Sequence, residues 1–168
     1  VNLSPLQFRK QDIRQHVLDV LEKTGLDPRA LELELTESIL MQNPESAASD
    51  VRFLQEKGVT FSIDDFGVGY SSLSYVKTLP VDRLKIDQGF IRNVNTDPND
   101  AAIVRAIINL GHSLNLKIMA EGVETAEQLA FVRNEGCDEV QGFYFSPPVP
   151  AEDFAFLFNQ QNLLARTA

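Results

Sequence analysis

Apolar positions along the chain fall into two alternating rhythms. Leu31, Leu33 and Leu35 alternate with Glu32 and Glu34, and Phe61 and Ile63 bracket Ser62, the period-two pattern of a half-buried strand. Short β-rich runs of this kind predict strands at 1–3, 31–36, 60–64, 83–87, 117–120 and 139–143. Between them the spacing lengthens to that of amphipathic helices. A helix over 8–24 places Ile13, Val17, Val20 and Leu21 on one face, and Gly25 closes it as a C′ residue does. Asn43-Pro44 opens a second helix with proline at its first position, running to Gly58. Residues 100–114 carry Ile103, Val104, Ile107, Ile108 and Leu114, residues 125–135 end at Gly136, and a last helix follows Pro150 with Phe154, Leu157 and Phe158.

Strands alternating with helices imply a parallel sheet with helices outside it, either a doubly wound sheet or a (β/α) barrel. Polar residues recur at the C-terminal strand ends: Asn2, Glu34, Asp64 with Asp65, Lys85, Glu121 and Gln141. A barrel gathers such positions at one mouth, whereas a doubly wound sheet concentrates its site at one switch point. The distribution favours the barrel.

Composition narrows the function. The 168 residues are 43% apolar and 8% aromatic, enough for one compact domain with its own core. No apolar run approaches the roughly 20 residues of a membrane helix. The chain opens on VNLSPLQF, without an initiating methionine or a basic leader, which reads as a cut end. With 24 acidic and 15 basic residues the net charge is −9, which argues against binding a DNA or RNA polymer. An anionic small molecule would need metal ions to invert the local potential. The single cysteine, Cys137, cannot form an internal disulfide and has no basic neighbour, so a structural thiol in a reducing, cytoplasmic compartment is expected.

The carboxylates carry the candidate chemistry. Asp64 and Asp65 are adjacent, and two neighbours in a strand point to opposite faces unless the strand gives way to a loop. The following FGVGYSS, with Gly67 and Gly69, supplies one. Hard oxygen ligands of this kind suit Mg²⁺ or Mn²⁺, although a lone Asp-Asp pair more commonly caps a helix or faces water. Glu34 shares a strand face with Glu32 and is either an inward ligand or a solvated carboxylate. Glu37 stands where it could also serve as a first-turn helix carboxylate. Glu121 and Glu124 flank a glycine turn. Asn2 offers an amide oxygen that could ligate a cation or cap the Ser4-Pro5 turn. Lys85, between Leu84 and Ile86, either faces the mouth, where it could orient or deprotonate a water, or snorkels outward. Four carboxylates, an amide and an ammonium on successive strand ends make a two-metal hydrolase mouth. His16 and His112 fall within helices, which disfavours a proteolytic triad, and GVGYSS lacks the lysine of a phosphate-binding loop.

In order, VNLSPLQF, ELTES, IDDFGVGYSSL, LPVDRLKID, AEGVET and CDEVQGFYFSPP resemble the motifs of EAL domains along essentially the whole chain. The resemblance implies a modified TIM (β/α)8 barrel, here incomplete with about six of the eight strands, residues 1–168 being a partial EAL domain. It implies hydrolysis of cyclic-di-GMP to pGpG with two Mg²⁺ or Mn²⁺ ions. By motif, Asn2, Glu34, Asp64, Asp65 and Glu121 would hold metal, while Lys85, Glu121 and Gln141 would act on the water or the substrate. Glu37 would anchor the DDFG loop. A homodimer is also implied, as is fusion to sensory or GGDEF domains in a cytoplasmic or membrane-anchored protein.

The sequence departs from the family twice. The E-A/V-L segment that contributes a metal-binding glutamate is not in it, and Val68 stands where a small or hydroxylated residue is usual, which is expected to tune loop conformation. The competing reading is a cyclic-di-GMP receptor or dimerisation module without turnover. Such degenerate domains lose several ligands, whereas all those within this stretch are present; binding and hydrolysis measured side by side separate the two. An unrelated metal-dependent barrel enzyme would require the motif series to be accidental.

Overall fold

The computed structural model describes residues 1–10, 12–69 and 78–155. Short helix α1 (Pro5–Lys10) is followed by α2 (Ile13–Thr24), a 3-10 turn at Pro28–Ala30, β1 (Glu32–Thr36), α3 (Glu37–Gln42) and α4 (Pro44–Gln55). Then come β2 (Thr60–Phe66), β3 (Arg83–Ile86), α5 (Gln88–Arg92), α6 (Pro98–Ser113), β4 (Lys117–Ala120), α7 (Ala126–Asn134) and β5 (Glu139–Val140). Residues 151–155 are helical, so the expected last helix begins where predicted, but Leu157 and Phe158 lie outside the described residues. Among the described residues no helix is long and apolar enough to cross a membrane.

Several boundaries differ from the pattern-based reading, each for a local reason. The helix expected over 8–24 is two helices, because Asp12 turns extended and caps α2 by accepting a hydrogen bond from the Gln15 amide. The strand expected to Asp87 stops at Ile86, since Asp87 caps α5 by accepting from the Gly89 amide at 2.7 Å. Helix α3 precedes Pro44, which separates it from α4. The strand expected over 139–143 is reduced to two residues. Segment 1–3 is a single parallel bridge, Asn2 to Glu34, although the Val1 ammonium and the Leu3 amide both bond to β1 carbonyls.

The five strands of the described residues lie in strictly consecutive order, β1-β2-β3-β4-β5, and every pair is parallel. Parallel crossovers are right-handed, so a sheet that never reverses its order receives all its helices on one face. That geometry curls toward a barrel and has no switch point. The sheet is accordingly an incomplete barrel. On the helix side stand Leu33, Leu35, Phe61, Ile63, Leu84, Ile86, Ile118 and Ala120, all buried, packed beneath Val51 and Leu54 of α4 and Val104 and Ile108 of α6. Burying these side chains, at about 1.5–3 kcal/mol for each large one, drives assembly. By alternation, the concave face carries Glu32, Glu34, Ser62, Asp64, Arg83, Lys85, Met119 and Glu139. The polar strand residues thus line the interior.

Candidate active site

Two layers of charge cross the concave face, each centred on a cation of β3. In the upper layer the Lys85 ammonium lies 2.9 Å from Glu34 Oε2, 3.0 Å from Asp64 Oδ1 and 2.7 Å from Glu121 Oε1. Lys85 is only 3% exposed. Burial disfavours its charge, but the close carboxylates of Glu121, Glu34 and Asp64 outweigh that and hold the ammonium above its ordinary pKa. Lys85 therefore faces the mouth and does not snorkel outward.

Asp64 and Asp65 reach the same place by a backbone irregularity. The register between β2 and β3 shifts between Ile63 and Phe66, and Asp65 adopts φ 53, the left-handed region. The strand runs on to Phe66, past the expected end at Asp64, so a bulge within the strand brings the neighbouring carboxylates together. Ligand oxygens of Asp64, Asp65 and Glu121 all lie within 4.8 Å of one another. Asp65 titrates above its usual range because it is partly desolvated and because Asp64 and Asp87 repel its charge. Burial likewise raises Glu121, opposed by Lys85 and reinforced by Asp64.

Three carboxylates share one ammonium here, with Asp65 a fourth acid beside them. Asp64 Oδ1 is buried and, although 3.0 Å from Lys85 Nζ, accepts no aligned hydrogen bond. A buried carboxylate oxygen with spare acceptor capacity, beside two others and poor in cations, fits a hard divalent ion.

The other candidate residues are placed less uniformly. Asn2 is the register neighbour of Glu34 at the edge of the sheet. Glu37 opens α3, and its carboxylate lies against Gly69, where a Cβ would fall 3.2 Å from Glu37 Oε2. Gln141 follows β5 in an exposed position and lines a groove of about 350 Å³ with residues 142–143, 146–149 and 154. Among the described residues no hydrogen bond joins its side chain to the carboxylates. Val68 is exposed. Tyr70, Ser71, Ser72 and Leu73 of the IDDFGVGYSSL motif lie outside the described residues. Cys137 is a partly buried thiol whose pKa burial pushes up to about 11, as befits a structural residue.

The lower layer went unrecognised in the sequence. Arg83 forks, one Nη to Glu32 and the other to Glu139 Oε1 at 2.9 Å. Glu32, Arg83 and Glu139 each stand two residues before Glu34, Lys85 and Gln141, so the strand period itself held the signal. Gln128 was also missed. It is buried and, with Thr125, forms the capping box of α7, its Oε1 accepting from the Glu124 and Thr125 amides. That contact fixes the loop carrying Glu121.

The family model described as EAL domain matches residues 1–148. The chain is 49% identical over 152 residues to the bifunctional diguanylate cyclase/cyclic di-GMP phosphodiesterase MucR of Pseudomonas aeruginosa, covering 90% of the chain and 22% of that protein. It is 46% identical over 154 residues to the signaling protein YkoW of Bacillus subtilis, covering 92% and 19%. The chain thus spans roughly a fifth of the length of these curated relatives. Among solved structures, the P. aeruginosa MucR phosphodiesterase in complex with c-di-GMP superposes with a TM-score of 0.88 at 49% identity, over 92% of this chain and 62% of that one. The Klebsiella pneumoniae BlrP1 manganese/cy-diGMP complex gives 0.80 at 30% identity, over 88% and 38%.

Proposed function

The chain belongs to the EAL-domain family, and from that membership we propose that it is the catalytic part of a phosphodiesterase that opens cyclic-di-GMP to linear pGpG with Mg²⁺ or Mn²⁺. The observation that carries this reading is the convergence of Asp64, Asp65 and Glu121 around a buried Lys85. Glu34, Asp64, Asp65 and Glu121, with Asn2 beside Glu34, are the residues that would hold two divalent ions. Such ions, when bound, neutralise the phosphodiester charge and acidify a water. They would also reconcile an anionic dinucleotide with a chain of net charge −9.

The chain's own groups have separable roles in this reading. Lys85, gripped by three carboxylates and held in its charged form, is suited to orienting a water or a phosphoryl oxygen and poorly suited to taking a proton. Of the two roles open to it from sequence, the orienting one is better supported. Asp65 keeps the mouth acidic at the bulge. Glu37, by packing on Gly69, steadies the loop that follows Asp65. Gln141, exposed just after β5, would meet substrate at the rim in this reading. The larger protein would couple this site to other domains, as the bifunctional name of MucR suggests for that relative.

Hydrolysis of cyclic-di-GMP by the protein at native length, with Mg²⁺ or Mn²⁺, tests the reading. Asp64→Ala is expected to lower turnover by at least about a hundredfold. A wild-type protein that binds the metal ion and leaves cyclic-di-GMP intact would overturn it in favour of a receptor.

A further inference from the structure

We infer that Arg83 is a positioning residue whose two-armed ion triad with Glu32 and Glu139 sets the spacing of the metal-holding carboxylates one layer above it. This rests on the metal reading of the site given under Proposed function.

The geometry is unusual for a strand residue. Arg83 sits on β3, but its partners are on β1 and β5, each two strands away. Adjacent strands are about 4.8 Å apart, so a flat sheet would separate those partners by about four spacings. One guanidinium reaches both only across a concave face. The planar fork has a fixed angle between its arms, which makes it a gauge of that curvature and not merely a counter-charge.

What the gauge controls follows from the strand period. Glu32 is two residues before Glu34 on β1, and Arg83 is two before Lys85 on β3. Glu139 pairs with Met119, itself two residues before Glu121. Fixing the lower layer therefore fixes the separation of Glu34, Lys85 and Glu121 above. The two Nη contacts are the only hydrogen bonds of the guanidinium among the described residues, because Arg83 Nε is buried without a partner. Its register neighbour Ser62 Oγ is in the same condition. Among the described residues no other side chain bonds to both β1 and β5.

Binding of Mn²⁺ alone, followed by the electron paramagnetic resonance of the free ion, tests this in the protein at native length. Arg83→Lys keeps the charge but cannot span both acids. It is expected to weaken Mn²⁺ binding about tenfold, in the range of outer-shell substitutions, with a metal-free melting temperature close to wild type. Activity lost in this variant should return at higher Mn²⁺. The triple variant Glu32→Met, Arg83→Met, Glu139→Met replaces the triad with apolar volume, an exchange that commonly preserves stability. It too should fold and bind Mn²⁺ more weakly. If either variant folds and binds Mn²⁺ as wild type does, the inference is overturned. If neither folds, the triad is a stability element and the positioning role fails. A wild-type protein that takes up no Mn²⁺ sinks the metal reading itself, a result distinct from equal binding by wild type and variants.

Discussion

At Asp65 the backbone adopts φ 53, where a Cβ crowds the following carbonyl at a cost of about 1–2 kcal/mol. Aspartate tolerates this region better than most residues, and here the conformation turns its carboxylate to the same side as Asp64. Stability and metal binding should therefore separate at this position. Asp65→Gly is expected to raise metal-free stability by up to about 1 kcal/mol while weakening Mn²⁺ binding, and Asp65→Val to lower stability by about 1–3 kcal/mol. Urea unfolding in chelator, beside a Mn²⁺ titration, reads both. Asp138 gives a different residue-level expectation. Burial works against its charge, yet Lys117, the Ile118 amide and His112 hold it down from 3.8 to about 2. A carboxylate with a lowered folded-state pKa stabilises above its unfolded value and loses that contribution as pH falls through the folded one. Between about pH 5 and about pH 2, wild-type stability should fall more steeply than that of Asp138→Asn, as measured by urea unfolding across that window.

The loops after β4 and β5 are one unit at the level of elements. Gly142 lies against the Val123 backbone, where a Cβ would fall 2.1 Å from the carbonyl oxygen and 2.3 Å from the nitrogen. Val123 donates to the Gln141 carbonyl and its own carbonyl accepts from Tyr144. Gly142→Ala must displace the turn that follows Glu121, at a cost of roughly 1–3 kcal/mol with weaker Mn²⁺ binding. Thermal unfolding and a metal titration check this. Removing the Gln128 side chain in Gln128→Ala leaves the Glu124 and Thr125 amides without their acceptor, at about 1–3 kcal/mol, and should disturb the same loop. Period-two runs made β1 and β2 legible in the sequence, and the polar strand ends pointed to the mouth where Lys85 meets Glu34, Asp64 and Glu121. The boundaries less legible were set by single hydrogen bonds: Asp12 starting α2 and Asp87 starting α5. Such caps look like ordinary loop aspartates until a backbone amide is seen to face them. The Arg83 layer was missed for another reason. Its partners are 51 and 56 residues away in sequence, and only the curvature of the sheet brings them together.

Across the whole molecule, an excess of acid is concentrated where metal ions would sit, so folding and cation binding should be linked. A ligand that binds only the folded state stabilises by about 2.7 kcal/mol at roughly a hundredfold excess over Kd. For a chain of this size that corresponds to an upward shift in melting temperature of roughly 5–10 °C. Two origins of such a shift must be told apart. A net charge of −9 repels itself, and any salt relieves part of that repulsion by screening. Occupation of the carboxylate cluster, by contrast, requires the particular oxygens of Asp64, Asp65 and Glu121. Calorimetry at fixed ionic strength should therefore show a rise with Mn²⁺ that sodium chloride does not reproduce. Asp64→Asn should lose most of the Mn²⁺-specific rise, while Asp138→Asn, remote from the mouth, should keep it. If sodium chloride matches Mn²⁺, or if Asp64→Asn shifts as far as wild type, the acidic cluster acts as diffuse charge and does not gather ions as a site.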